Sequence, residues 1–219
     1  MMGATRLRTA LKWSRIGAAG LAVAAVFLGR RPQSVRATPD ERIRPLPGDD
    51  LIASPLGALT HAVTIQASPH DVWPWLAQMG AGRAGWYSYD VFDNGGQPSA
   101  TRIVAELQRL ERGLVFPAVP GATDGFTLAA FESERFLILE WETPDGARLV
   151  SWAFVLEPLN GGSTRLIVRA RGSQDYRFFG LPSSFTRRIA PIVEVVHFIM
   201  QRKQLLGIAR RAEMRNAMA

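Results

Sequence analysis

The sequence contains no cysteine, which excludes a disulfide framework, a thiolate zinc site and a cysteine nucleophile. Histidine is scarce as well: His61, His70 and His197 lie in separate predicted elements, and none has a second histidine at metal-ligand spacing. A Gly-x-Ser-x-Gly elbow, a phosphate-binding loop and a zinc signature are also missing from the sequence. We therefore expect no metal and no cofactor, and the motifs assign no catalytic residue.

Acidic residues are absent from positions 1–36, which hold seven of the 26 lysines and arginines. Residues 37–219 hold 19 basic and 19 acidic residues, so their formal charge is zero. A nucleic-acid-binding domain needs its excess positive charge on the folded surface that meets the phosphates. Because the excess positive charge lies in residues 1–36, the net charge of +7 does not indicate a nucleic-acid-binding domain, and we expect no nucleic-acid partner.

An apolar run without any charge extends from residue 16 to residue 29, between Arg15 and Arg30. As a helix it would span about 21 Å, which is short of a bilayer core of about 30 Å. We expect residues 1–36 to form a signal or membrane-anchor segment containing an extra hydrophobic helix. The expected localisation is membrane association through this anchor with the body outside the cytoplasm, or alternatively secretion after cleavage. Residues 37–58, which are rich in proline, are interpreted as a linker or an extended wrap.

The body, residues 59–214, begins with a strand and a helix. His61–Gln66 alternates like a short strand, and Ser68 then provides a helix N-cap, followed by Pro69 at the first helical position. Residues 80–85 match the pattern G-x-G-x-x-G, but they follow a helix instead of a strand, so we reject a dinucleotide site and expect a flexible connection.

Four further segments alternate between apolar and polar residues, with turn sequences between them, and a long amphipathic segment ends the chain. This pattern predicts an antiparallel sheet with one solvated face, packed against one long helix at about 183–214. The strand segments are Phe126–Phe131, Arg135–Glu142, Arg148–Glu157 and Thr164–Arg171, and the apolar stripe of the helix is Phe185, Ile189, Ile192, Val196, Ile199 and Met200.

Four stretches resemble bacterial START-like (SRPBCC; polyketide cyclase and lipid transport) proteins. They are residues 47–51, residues 72–90, the segment from Trp152 through 164–166, and residues 197–203. The resemblance implies an α+β helix-grip fold, in which a curved antiparallel sheet wraps around a long C-terminal helix. It also implies a cavity between the sheet and that helix, lined by Trp86, Tyr89, Trp141, Trp152, Phe154, Ile192, Val196 and Met200.

Three functions stay open at this point. The first is binding or transport of a small hydrophobic ligand or lipid in the implied cavity, in a protein held at a membrane through its N-terminal segment. The second is a cyclase- or dehydratase-type enzyme in the same cavity, for which Glu194 with His197, or Asp90 with Asp93, could supply acid–base groups. The third is an interaction domain with a filled core, in which the aromatic residues pack as ordinary interior.

Overall fold

The computed structural model describes residues 35–122, 125–143, 145–176 and 183–216, with the side chains of residues 192–214 in the last range. The helices are α1 (Pro39–Ile43), α2 (Pro69–Ala77), α3 (Asp90–Asp93) and α4 (Ser183–Asn216), with short 3-10 helices at Asp49–Ile52 and Ala105–Leu107. The strands are β1 (Gly57–Ile65), β2 (Val115–Pro117), β3 (Gly125–Glu132), β4 (Phe136–Glu142), β5 (Arg148–Pro158) and β6 (Thr164–Gly172).

The six strands form one sheet in the order β1-β6-β5-β4-β3-β2, and every neighbouring pair is antiparallel. Register shifts between Leu128 and Ala130, and between Trp141 and Glu142, are irregularities of the kind that bends a strand pair. Helix α4 packs on β1 and α2. The predicted α+β helix-grip fold is therefore confirmed, and with it the resemblance at the level of fold.

Helix α2 begins where the sequence predicts. The Ser68 hydroxyl accepts a hydrogen bond from the backbone N–H of Asp71, and Pro69 occupies the first turn. Pro74 is the sixth residue of the helix, where its missing N–H removes one helical hydrogen bond. The apolar face of the helix is fully buried in the main core, as Val72 and Leu76 show.

The second half of α4 holds the helix in the core. Leu205, Ile208, Ala209 and Ala212 are buried against the inner face of the sheet and α2. Gly207 permits the close approach of a loop, because a Cβ at this position would lie 2.4 Å from the carbonyl oxygen of Tyr87. This contact therefore sets how closely α4 packs against the loop that follows α2.

The outer face of the sheet is covered by residues 36–53, which we call the strap. Ala37 and Leu46 of the strap form a second apolar cluster with Ala62, Val155 and Ile167 of the sheet. The prediction that this face is solvated is wrong for β6, because Ile167 is fully buried under the strap. From the sequence, residues 37–58 are interpreted as a linker or an extended wrap, and the strap follows the second interpretation because it packs on the sheet.

Arginines on β6 attach the strap by ion pairs and by hydrogen bonds to its carbonyl groups. Arg165 donates two hydrogen bonds to the carboxylate of Glu41, at 2.7 and 2.9 Å. Arg169 donates to the carboxylate of Asp49 and, at 2.6 Å, to the carbonyl of Glu41. Arg171 pairs with the same aspartate at 3.2 Å. These arginines alternate along the strand as solvated residues would, yet their partners are in the strap.

The predicted localisation, membrane association through an anchor or secretion after cleavage, is contradicted. No helix within the described part of the chain is both long enough and apolar enough to cross a membrane. Nearly all of the segment at 1–36 on which that prediction rested, with its extra hydrophobic helix, lies outside the described residues.

Candidate functional site: a tryptophan-lined cavity under the C-terminal helix

A cavity of about 590 Å³ lies between the inner face of the sheet and α4. Strands β3 to β6 form its floor, α4 covers one side, and the loop between α2 and α3 closes another. The described residues that line it are Trp86, Ser88, Asp93, Ala118, Phe126, Trp141, Leu149, Val150, Trp152, Ala170, Tyr176, His197, Met200, Gln201 and Gln204.

Aromatic rings form a continuous wall of this cavity. The Trp86 and Trp152 rings stack with their centroids 5.4 Å apart, and Phe126 lies 5.1 Å from Trp152 and 5.2 Å from Trp141. Hydrogen bonds hold two of the indoles: Trp86 Nε1 donates to the carbonyl of Pro117 at 3.1 Å, and Trp152 Nε1 donates to Gln201 Oε1 at 3.0 Å. The wall is therefore a set of oriented planar surfaces.

The loop that positions Trp86 is the glycine-rich segment 80–85. Gly80 and Gly85 pair with each other through two backbone hydrogen bonds of 3.2 and 2.9 Å, which closes the loop on itself. Arg83 folds back and donates to the carbonyls of Met79 and Ala77 at the end of α2. The expected flexible connection is thus a tight, hydrogen-bonded loop.

Half of the residues predicted to line the cavity lie around it, namely Trp86, Trp141, Trp152 and Met200.

The other four predicted residues lie elsewhere. Phe154 lies in the core beside Trp152, with ring centroids 4.9 Å apart, and is fully buried. Tyr89 packs on Phe92, and the ammonium group of Lys203 lies over its ring. Ile192 and Val196 are 65% and 49% exposed. Phe154, Tyr89, Ile192 and Val196 are therefore not cavity-lining residues in this structure.

The residues of α4 that line the cavity are mostly polar, and Met200 is the one member of the predicted apolar stripe among those described. His197, Gln201 and Gln204 line the cavity at i, i+4 and i+7, which places them on one side of α4. Gln201 Nε2 donates to Gln204 Oε1 at 2.6 Å, and both amides are buried. Sequence reasoning missed this row because polar residues at helical spacing ordinarily indicate the solvated face of a helix.

Two histidines that are far apart in the sequence meet beside the cavity. The rings of His61 on β1 and His197 on α4 stack with centroids 5.6 Å apart, and Phe198 lies 5.5 Å from His61. Burial lowers the pKa of each imidazole to about 4, aided by the charge of Arg42 near His61 and by the proximity of the two histidines. His61 Nε2 and His197 Nδ1 are buried without a hydrogen-bond partner among the described residues.

The hypothesis that Glu194 and His197 form an acid–base pair finds no support in the geometry. Glu194 is exposed, whereas His197 faces inward and stacks on His61. Within the described ranges, no group of three or more histidine, aspartate or glutamate residues is arranged to hold a metal ion.

The two aspartates of α3 have different environments. Asp90 accepts hydrogen bonds from the backbone N–H and the hydroxyl of Ser99, which fixes the loop. Asp93 lines the cavity, and burial together with the nearby charge of Asp90 raises its pKa to about 6. Asp90 is thus a loop-fixing residue, whereas Asp93 is available to the cavity.

No family model matches the chain, and no curated protein matches it. Solved structures with similarity include the Polyketide_cyc-like protein Cgl2372 from Corynebacterium glutamicum, with a TM-score of 0.44 at 17% identity over 74% of this chain and 94% of that one. Protein NE0264 from Nitrosomonas europaea has a TM-score of 0.42 at 13% identity over 73% of this chain and 96% of that one. Protein Ms6760 from Mycobacterium smegmatis has a TM-score of 0.40 at 10% identity, over 74% and 92%. These are distant likenesses, and they say nothing of what the cavity holds.

Proposed function

We propose that the protein binds a small hydrophobic molecule in the cavity between its sheet and α4. The observation that carries this proposal is the wall of three tryptophans and Phe126 around about 590 Å³ of space. Sites for small ligands typically enclose roughly 300–1,000 Å³ and combine apolar, aromatic walls with a few polar groups. The size and the lining of this cavity both fall within that description.

The aromatic wall favours a ligand with a flat, apolar part. Indole and phenyl rings stack well on planar molecules, and burying such surface contributes roughly 25 cal/mol per Å². Trp152 is held from both sides, by the ring of Trp86 and by the hydrogen bond to Gln201. Because these rings are already oriented, little side-chain entropy is lost when a ligand binds.

The cavity also weighs against an interaction domain with a filled core. A protein interior packs to a density with few voids larger than a water molecule. The cavity of about 590 Å³ between the sheet and α4 is open to solvent on one side and is lined by large aromatic side chains. Apolar surface left open in this way is typical of a binding site, which favours a role for the space itself.

Binding of N-phenyl-1-naphthylamine, an uncharged probe whose fluorescence rises in apolar surroundings, tests the proposal on the full chain. We expect saturable binding of one probe per chain. Ala170→Phe places a ring into the cavity from β6 and should abolish binding. Ala58→Phe makes the same change at an exposed position of β1 and should leave binding unchanged. Equal binding by both variants would show that the probe occupies another place.

A second candidate, an acid–base enzyme of the cyclase or dehydratase type, is favoured by one observation. Asp93, with its pKa raised to about 6, and His197, which is neutral at pH 7, both line the cavity. Groups whose pKa values are shifted in this way are found at catalytic sites and at structural ones. Recovery of a bound molecule in changed chemical form, and only in its original form with Asp93→Asn, would favour the enzyme over the carrier.

A further inference from the structure

We propose that the ligand is an uncharged molecule that carries a hydroxyl group, that this hydroxyl hydrogen-bonds to His197, and that the cavity discriminates against carboxylates. This inference rests on the proposed function and names the class of ligand for the same site. It follows from three properties of the described lining residues: their charges, the hydrogen bonds that are already made, and the chemistry of His197, which is the uncharged member of the two lining residues with an unpaired buried atom.

The first property is the absence of positive charge. Neither lysine nor arginine is among the described residues that line the cavity. The described ionisable groups in the lining are Asp93, Tyr176 and His197. An anionic ligand would therefore lose its hydration without gaining an ion pair, and it would face the carboxyl group of Asp93.

The second property is that the side chains of Gln201, Gln204 and Ser88 are already occupied, whereas Asp93 Oδ1 and His197 Nδ1 are buried without a partner among the described residues. Gln201 accepts from Trp152 and donates to Gln204, whose own amide nitrogen lies 3.8 Å from the sulfur of Met79. The Ser88 hydroxyl donates to the carbonyl of Met200 at 3.1 Å. These groups orient the wall, and recruiting one of them for a ligand would break a buried hydrogen bond.

The third property is the state of His197. Its Nδ1 is buried with no hydrogen-bond partner in the described part of the chain, and its only described ring contact is with His61. Buried polar atoms are normally paired, so an unpaired one in a cavity wall needs an explanation. A neutral imidazole has one donor and one acceptor nitrogen, and a hydroxyl group, which can both donate and accept, matches it in either tautomer.

The groups packed around His197 support a neutral imidazole in the complex as well. His61 faces it from β1, with Arg42 of the strap beyond, and Gln201 lies one turn along α4. Asp93 is the one described acidic residue in the cavity lining, and no contact joins it to the imidazole among the described residues. An imidazolium at His197 would be disfavoured by burial and would have no ion-pair partner among the described residues, so a neutral hydroxyl is a better match than an anion.

Equilibrium dialysis of the full chain at pH 7.5 against 2-naphthol, naphthalene and 2-naphthoate tests the inference, because the three probes share one planar body. We expect 2-naphthol to bind about fivefold or more tighter than naphthalene, as one net hydrogen bond provides. We expect 2-naphthoate to bind at least about 30-fold more weakly than 2-naphthol, because its charge has no partner.

His197→Phe should remove the preference for 2-naphthol over naphthalene, and His197→Gln, which keeps a donor and an acceptor, should retain part of it. His70→Phe is the matched control, because His70 is exposed outside the cavity and pairs with Glu134. Equal affinity of the wild-type chain for 2-naphthol and naphthalene, or tight binding of 2-naphthoate, would overturn the inference. Failure of N-phenyl-1-naphthylamine to bind would instead overturn the proposed function.

Discussion

Trp152 on β5 donates a hydrogen bond from its indole nitrogen to the side-chain oxygen of Gln201 on α4, at 3.0 Å. This bond connects the floor of the cavity to the helix above it, and Gln201 is only 2% exposed. Trp152→Phe would leave the amide oxygen of Gln201 buried and unpaired. We expect the free energy of unfolding to fall by about 2 kcal/mol in urea titrations. Trp141→Phe, a change in the same wall at a ring whose described contact is with Phe126, should cost less than about 1 kcal/mol.

Arg169 is the main attachment point of the strap. It is 3% exposed, and it bonds to Thr60, to the carboxylate of Asp49 and to carbonyl oxygens of the strap. Arg169→Met would remove one of the two arginines that pair with Asp49 and would leave two strap carbonyls without this donor, so we expect a loss of about 3 kcal/mol in unfolding free energy. Arg135→Met removes the exposed pair with Glu132 and should change stability by less than about 1 kcal/mol. Similar effects of the two substitutions would contradict a structural role for the strap.

Gly207 is required by packing, although it lies inside a helix. Alanine is ordinarily more favourable than glycine in a helix by about 1 kcal/mol. The added Cβ at this position would lie 2.4 Å from the Tyr87 carbonyl oxygen and 3.0 Å from the Tyr87 Cβ. We therefore expect Gly207→Ala to lower the melting temperature. Gly57→Ala, which has open space around it, should not do so. A stabilised Gly207→Ala variant would show that α4 is not held against this loop.

Acid should destabilise the protein through the stacked histidines. Burial holds the pKa values of His61 and His197 at about 4, well below the ordinary 6.5, so between these values the unfolded chain takes up protons that the folded chain does not. Stability should therefore fall as the pH falls from 6.5 to 4. Asp93, with its raised pKa of about 6, acts in the opposite direction, but it is one half-buried group against two imidazoles.

Urea unfolding at pH 7 and pH 4.5 measures this effect. We expect the loss on acidification to be smaller in His197→Phe than in the wild-type chain by on the order of 2 kcal/mol. His70→Phe, at an exposed histidine, should lose as much stability as the wild type. Equal losses in the wild-type chain and in His197→Phe would mean that the buried imidazoles do not govern the acid response.

The strands were predictable because alternation and turn sequences are local signals. The turn at residues 160–162 separates β5 from β6 as the sequence predicts, and the boundaries of β3 to β6 differ from the predicted ones by only one residue. Strand β1 begins four residues earlier than predicted, at Gly57. Strand β2 was missed because it has only three residues, Val115, Phe116 and Pro117, which is too short for a period to be visible. The burial of Ile167 could not be predicted either, because it depends on the strap, which is far away in sequence.

The candidate site was predictable at three tryptophans and at Met200. Trp152 and Trp141 lie on strands, where the period of two assigns each side chain to a face. On α4 the same reasoning failed, because the apolar residues Ile192 and Val196 are exposed and the row beginning at His197 faces inward. The stacking of His61 on His197 is a tertiary contact for which the sequence carries no local signal.

The measurement that tests the central claim most directly is a titration of the ¹⁵N-tryptophan-labelled full chain with N-phenyl-1-naphthylamine, followed through the indole N–H resonances. Single Trp→Phe variants assign the peaks. If the cavity is the binding site, the resonances of Trp86, Trp141 and Trp152 shift and saturate together. The resonance of Trp75, which is a buried residue of α2 packed against Tyr87, stays in place. Saturable binding that moves none of the three cavity indoles would contradict the claim.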